Sequence, residues 1–454
     1  MYSCMKRTID LKVKPLHLYV CEKYNPGPVS CCVVFISYSY SSGIATMGGI
    51  CCAPCHPRKN PRVADAGARD EIHTVESPTG RFLIFANPNS GEGKSVAVFR
   101  KRLKPELVKN NIAYELIVTT HAQHAFSVIR ARNDLHEFNA ILILSGDGLV
   151  FEVINGLVLR PDHDRFFPHL PLGIVPSGSG NGLLASVYHT KSYPLKGNEF
   201  LKQALRSVSQ VDATAHIVSL THVETDNGEN TVSFLSIGWA LMADIDIESE
   251  RWRRPLGSAR FTAGAVIRCI NLRKYRAKLS YLPSTETSES SVNQRTFPVF
   301  ERELTERTSK CASSSGDTIN FSDYHVKPGV PKLAEPVPDN WVTIEDDFVL
   351  FYAVSISHIS ADGLFMPSAR LNDDRLYLTY ILAKEMNSSV KLLSFLTKIE
   401  EGTHLDSPFC KKVPVSAFRL EPIDTGSYIT VDGEVIKTSK IQATATSLRT
   451  AVIA

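Results

Sequence analysis

Between Arg81 and Val175 the chain alternates apolar runs of strand length with longer stretches of helical character. The runs are Phe82–Ala86, Ala113–Val118, Ala140–Leu144 and Leu172–Val175. Runs that are apolar on both faces predict strands of a covered, largely parallel sheet. Between the first two, Val96, Phe99, Leu103 and Leu107 recur at spacings of three and four. That stripe predicts a helix returning to the sheet, a β-α-β unit. Past about residue 212 the pattern shifts to alternating runs, Thr231–Ile237, Ala277–Tyr281, Phe348–Ile356, Arg375–Leu382 and Tyr428–Val435, which predict a mainly β, sandwich-like half. Residues 283–340, rich in Ser, Thr, Glu and Pro, read as a disordered insertion between two strands, without catalytic residues. Residues 1–78 mix short β-rich runs (Leu16–Val20, Cys31–Tyr40) with Gly- and Pro-rich breaks, and read as a separate, partly disordered extension. The expected organisation is therefore 1–78, an α/β domain at 79–211, and a β-rich domain at 212–454.

Composition narrows the function. At 454 residues and 43% hydrophobic, the chain can bury more than one domain core. A net charge of +3, without a basic stripe and interleaved aromatics, argues against nucleic acid as a partner. The start carries Lys6, Arg7, Asp10, Lys12 and Lys14 and so lacks the apolar core of a secretory signal, predicting a cytosolic protein. No apolar run approaches the roughly 20 residues of a membrane-spanning helix. Seven of the ten cysteines precede residue 56, and in a large cytosolic chain they read as free thiols. Cys51, Cys52 and Cys55, with His56 and followed by Arg58, Lys59 and Arg62, could take acyl groups beside a basic patch.

Three glycine-rich corners close successive strands. The first strand ends in Asn87-Pro88-Asn89-Ser90-Gly91-Glu92-Gly93-Lys94-Ser95, where small residues let backbone N–H groups approach an anion at a helix start. It is not a Walker A loop, since the first glycine of that motif would fall on Pro88. The third strand runs into Ser145-Gly146-Asp147-Gly148, with Glu152 on the helix that follows. The fourth ends in Pro176-Ser177-Gly178-Ser179-Gly180-Asn181. Each alone reads equally well as a turn. Three at strand carboxyl ends, where open α/β folds bind ligands, point to phosphate handling.

The order N-P-x-S-G-x-G, S-G-D-G-x-x-x-E-V-x-N-G-L and P-S-G-S-G-N resembles the catalytic domain shared by sphingosine, ceramide and diacylglycerol kinases. Ser145 before Gly-Asp-Gly, and a second half containing Ala243–Arg254, Phe348–Val354, Phe418–Pro422 and Val431–Glu434, favour the sphingosine branch. The resemblance covers about residues 81–282 and 335–440. It implies an ATP-dependent kinase acting with Mg2+ on the primary hydroxyl of a sphingoid base to give sphingosine 1-phosphate, with a β-rich lipid-binding half and access to a peripheral membrane surface. Ceramide or diacylglycerol phosphorylation, or a catalytically silent binding module, are the alternatives. A homodimer is left open.

An alcohol is a poor nucleophile at neutral pH, so Asp147 is expected to act as general base. The resemblance places Ser145, Gly146, Asp147 and Gly148 against the lipid headgroup. Nucleotide contacts are implied for Asn87, Pro88, Asn89, Thr119, Thr120, His121, Ala122, Gln123, Glu152, Gly178, Ser179 and Gly180. Arg253 and Arg260 would clamp phosphate, although Pro255 disturbs their register, and the Arg251, Arg253, Arg254 cluster also reads as a solvated face. Asp432-Gly433 is a two-residue hairpin signal, and the resemblance adds that Asp432, Gly433 and Glu434 close the nucleotide site. For the substrate's ammonium, Asp244 and Asp246 are the candidate anions, on one face of an expected strand. The resemblance places the substrate contact on Asp246; Asp244 also reads as a loop cap. An apolar cavity for the lipid chain is expected along Val266–Leu272 or Leu392–Leu396. Metal ligands are not identified.

Overall fold

A computed structural model describes residues 2–11, 14–23, 32–40, 43–46, 69–91, 93–178, 180–252, 259–284, 296–300, 329–386 and 388–454. The chain divides into two compact units, Met1–Gly67 and Ala68–Ala454. The first unit is an antiparallel four-stranded sheet of Tyr2–Leu11, Lys14–Lys23, Cys32–Tyr40 and Gly43–Thr46, in that order. Cys51, Cys52 and Cys55 lie outside the described residues.

The second unit carries the four expected parallel strands: β1 (Gly80–Ala86), β2 (Ile112–Val118), β3 (Ala140–Ser145) and β4 (Leu172–Pro176). They lie in the order β4-β3-β1-β2, and Glu71–His73 pairs antiparallel on the outer edge of β2. Alternate residues enter opposite cores. Leu83, Phe85, Ile141 and Ile143 face one cluster, while Phe82, Ile84, Leu142 and Leu144 face the other, all fully buried. Covering both faces is what parallel pairing requires, and each such side chain contributes on the order of 1.5–3 kcal/mol. The helical run α1 (95–109) presents Val96, Phe99, Leu103 and Leu107 to the second cluster, as their spacing predicts, with a π-wound turn at Phe99–Leu103. Next come α2 (His124–Ala131), α3 (Asp147–Val158), α4 (Gly182–Thr190) and α5 (Gly197–Ser209).

The β-rich half comprises β5 (Thr214–Thr225), β6 (Asn230–Ser233), β7 (Ser236–Ala240), β8 (Tyr275–Pro283), β9 (Val342–Val354), β10 (Leu376–Leu382), β11 (Lys411–Pro422), β12 (Ile429–Val431), β13 (Glu434–Ile436) and β14 (Ile441–Ile453). Two long strands pass between layers. The first half of β9 pairs with β8 and its second half with β7 and β10, while β11 pairs first with β10 and then with β8 and β14. Strands that change layer form the corners of a sandwich-like fold. Strand β14 meets β4 in parallel at Val452 and Leu172, so the halves share one hydrogen-bonded sheet.

Among the described residues, the α-helices α6 (Leu241–Ser249), α7 (Ala259–Ile270) and α8 (Ser389–Thr397) interrupt this half. Within the 283–340 stretch, Thr296–Pro298 pairs with β5, and Leu333 is buried with its N–H donating to Glu224, which corrects the disorder expected for those segments. Those segments carry Phe297, Val299, Phe300 and Leu333 of the stretch's apolar residues. Residues 285–295 and 301–328 lie outside the described residues.

Candidate active site

The three glycine-rich corners interlock. Ser145 Oγ donates to Ser90 Oγ at 3.1 Å, and Asp147 N donates to the Gly180 carbonyl at 3.2 Å. A β-carbon on Gly91 would sit 2.2 Å from the Ser177 carbonyl oxygen, and one on Gly146 would sit 2.5 Å from that of Gly180. Side chains are excluded because backbone meets backbone. Within the first corner, Asn87 Oδ1 accepts from Asn89 N at 2.9 Å and the Asn87 carbonyl accepts from Ser95 Oγ at 2.6 Å, a tight turn before α1. Pro88 is part of that turn, and Asn89 is exposed.

Asp147 opens α3 and is itself buried. Its carboxylate accepts from Gly182 N at 2.8 Å and Leu183 N at 3.4 Å, the first amides of α4. Burial pushes its pKa up to about 6, against the pull of those two amides. A carboxylate poised there is ionised at neutral pH and still basic enough to take a proton.

Two further acidic residues reach the same place from distant sequence. A β-carbon on Gly148 would lie 2.8 Å from Glu434 Oε1, and one on Gly433 would lie 3.3 Å from Asp246 Oδ2. The expected hairpin is present: Val431 pairs with Glu434, and Asp432 and Gly433 take φ of 52° and 86°. Asp432 itself points inward. Its carboxylate accepts from Ser233 Oγ at 2.6 Å, Phe234 N at 3.0 Å, Leu235 N at 3.0 Å and Ser236 N at 2.9 Å. Burial raises its pKa to about 7, and those four donors oppose the shift. Its oxygens are engaged by protein, and Glu434 is the hairpin acid that stays exposed.

Residues 241–249 are helical, which corrects the strand expected there. The apolar residues around Asp244 and Asp246 pack on the sheet and on α7, and this tertiary packing overrides the alternation. Two residues on a helix point to different sides, so the aspartates separate. Asp244 is fully buried, accepting from Tyr275 Oη at 2.9 Å beside Arg268 and Arg273, and burial raises its pKa. Asp246 is half-buried and pairs with Arg260 at 3.0 Å. Arg260 also pairs with Glu250 at 3.0 Å and donates to Ser249 Oγ at 2.9 Å, so its guanidinium is directed at α6 and its carboxyl-terminal turn. Arg253 and Ser179 lie outside the described residues.

Glu152 and the loop at the end of β2 come together. Glu152 Oε2 accepts from Ala125 N at 3.2 Å at the start of α2, and burial raises its pKa against three amides of that turn. Thr119 is buried against Ala86, whereas Thr120, His121, Ala122 and Gln123 form an exposed rim.

The expected apolar stretches meet in one cluster. Leu272 of the first and Leu392, Leu393 and Leu396 of the second pack with Leu241, Ile245, Leu350 and Phe365 on the outer face of β9. His404 is buried in it against Phe365 and Phe395, at ring distances of 4.7 and 5.2 Å. Ser90, Ser233 and Tyr352 were not singled out by sequence. Ser90 lay within the first glycine-rich motif, while Ser233 and Tyr352 sat in strand-like runs that read as core.

A parallel α/β sheet whose glycine-rich corners surround an acidic residue defines a phosphotransferase of the lipid kinase class, and residues 81–216 match the diacylglycerol kinase catalytic domain. Sphingosine kinase 1 of Caenorhabditis elegans is 44% identical over 388 residues, covering 82% of this chain and 80% of the relative. Sphingosine kinase 1 of Homo sapiens is 34% identical over 371 residues, covering 80% and 88%. Sphingosine kinase 2 of Homo sapiens is 29% identical, covering 80% and 69%. The chain belongs to the sphingosine kinase family, and it is an ATP-using lipid kinase.

Proposed function

We propose that this chain moves the terminal phosphoryl group of ATP onto the primary hydroxyl of a sphingoid base, giving sphingosine 1-phosphate, with Asp147 as general base. The observation that carries the reading is that Glu434 reaches Gly148, the residue after Asp147, while Asp246 reaches Gly433, the residue before Glu434, and Asp147 itself lies against Gly180 of the neighbouring corner. The alcohol's proton passes to the Asp147 carboxylate, which the α4 amides hold in one orientation. Asp246 is the counter-ion for the substrate ammonium, and Arg260 keeps it aimed at the hairpin. Phosphate oxygens lie over the corners at Asn87–Asn89, Ser145–Gly148 and Gly178–Gly180, within reach of Glu152, Glu434 and the Thr119–Gln123 rim. Thr119–Gln123 and Glu152 frame the adenosine side. Arg253 supplies positive charge, while Arg260 stays with Asp246 and Glu250.

Among the described residues no group of three or more His, Cys, Asp or Glu could hold a metal alone. That donor set fits magnesium, which keeps several waters and is held by one or two carboxylates plus nucleotide phosphates. Glu434 would hold it together with the nucleotide phosphates, and the ion would neutralise charge developing on them.

The lipid chain lies along the cluster beneath α6, α7 and α8. Ile270 and Val390, on α7 and α8, are exposed apolar residues above that cluster and suit approach to a membrane surface from the cytoplasm. No helix among the described residues is long and apolar enough to cross a membrane. Residues 79–211 thus serve as the nucleotide half and 212–454 as the lipid half, with 1–78 as an appendage whose Cys51, Cys52 and Cys55 would add acyl anchors.

The test is incubation of the purified chain with Mg-ATP and, separately, sphingosine, ceramide and diacylglycerol. Phosphate on sphingosine is expected. Phosphate on a neutral lipid alone would overturn the substrate assignment, since a neutral headgroup has no use for Asp246.

A further inference from the structure

Tyr352 stands where the polar and apolar parts of the site meet. It lies in a cross-strand row of three, between Gly238 of β7 and Thr379 of β10. The missing side chain at Gly238 makes room for the ring: a β-carbon there would lie 2.9 Å from Tyr352 Cε2. The ring packs edge-on to Phe365, with centroids 5.0 Å apart, inside the cluster assigned to the lipid chain. The phenol oxygen reaches the other way and donates to Ser236 Oγ at 2.9 Å. Burial holds the phenol protonated, and the charges of Asp246, Asp432 and Asp147 add to it in a smaller degree. Its hydrogen goes to Ser236, so the oxygen keeps a lone pair free to accept. Beside it, the Thr379 hydroxyl is fully buried without a partner, which costs stability unless something polar arrives.

We infer that Tyr352 is a specificity-determining residue that accepts a hydrogen bond from the second, non-reacting hydroxyl of the sphingoid base, with Thr379 completing that polar neck. This deepens the sphingoid-base reading and rests on it. A 2-amino-1,3-diol bound by its ammonium at Asp246 and its primary hydroxyl at Asp147 presents its remaining hydroxyl at the start of the hydrocarbon chain. A phenol that is bonded to Ser236, next to the amide that Asp432 holds, and whose ring packs in the apolar cluster matches that position. A substrate without that hydroxyl leaves the buried Thr379 hydroxyl without a partner and the phenol's remaining lone pair unused.

The experiment compares kcat/KM for sphinganine and for the same long-chain 2-amino-1-alkanol lacking the C3 hydroxyl, in wild type, Tyr352→Phe and Ser236→Ala, with thermal melts of each. Wild type is expected to prefer sphinganine about tenfold, the worth of one well-made hydrogen bond. Tyr352→Phe, which keeps the ring, should lose that preference by falling on sphinganine alone, while Ser236→Ala keeps it. An equal loss on both substrates in Tyr352→Phe, reproduced by Ser236→Ala, would mean that the phenol only props the Asp432 network and would overturn the inference. So would an unchanged ratio. A wild-type enzyme idle on both bases would instead defeat the sphingoid-base reading itself, and this assignment with it.

Discussion

Replacing Gly146 by Ala tests whether the interlocking of the corners sets the catalytic geometry. The backbone at Gly146 is extended, with φ of −111° and ψ of −169°, so alanine meets no conformational penalty there. The clash is with backbone: the new β-carbon would sit 2.5 Å from the Gly180 carbonyl oxygen and 3.2 Å from Gly178 Cα. Restoring ordinary contact at 3.4 Å needs a displacement of 3.4 − 2.5, or about 0.9 Å, between the corner carrying Asp147 and the corner opening α4. Overpacking of this kind costs about 1–3 kcal/mol, and a misplacement near 1 Å at reacting groups costs about 10²-fold in rate. Gly148→Ala is the matched control. Its nearest neighbour is the flexible tip of Glu434 at 2.8 Å, and alanine inside a helix gains up to about 1 kcal/mol over glycine. Sphingosine phosphorylation followed by mass spectrometry, alongside thermal unfolding, should show Gly146→Ala folded, less stable and about a hundredfold slower. Gly148→Ala should be at least as stable as wild type, with its defect confined to the KM for ATP. Full turnover in Gly146→Ala would refute the reasoning, because the corners would then be free to separate without consequence.

Other outcomes follow from the same geometry. With the Asp147 pKa raised to about 6, the base is protonated as pH falls, so kcat/KM should drop below about pH 6; an acid limb near pH 4 would contradict the assignment. Asp246→Asn should raise the KM for sphingosine by tenfold or more with the KM for ATP unchanged, measured by varying each substrate in turn. Asp432→Ala strands three amides and a hydroxyl in the interior and should lower stability by about 3 kcal/mol or more in a denaturant melt.

The nucleotide half was legible because its strands are apolar on both faces, which only a covered parallel sheet tolerates, and because its corners must be glycine wherever backbone meets backbone. Gly91, Gly146 and Gly178 are fixed by carbonyls and α-carbons of the neighbouring corner, so their spacing reports the site directly. Asp246 was read onto a strand for lack of any local helix signal; α6 exists because Leu241 and Ile245 bury against β9 and α7, partners far away in sequence. Asp432 looked like a ligand for the same reason that Glu434 did, as an acid beside a turn glycine. Only the fold reveals that one faces the Ser233–Ser236 bend and the other the mouth of the site. Tyr352 left no trace, since a tyrosine in an apolar strand is usually core and its value here depends on the emptiness at Gly238.

Asp147 is the proton acceptor of the proposed reaction, and the most direct measurement of that role is the single-turnover rate of Asp147→Asn with bound ATP and sphingosine. The amide is close in shape to the carboxylate and can still accept one of the α4 bonds. An intact melt, near-normal substrate affinities and a chemical step slowed by about 10²- to 10⁴-fold are expected. A step that proceeds at the wild-type rate would contradict that role.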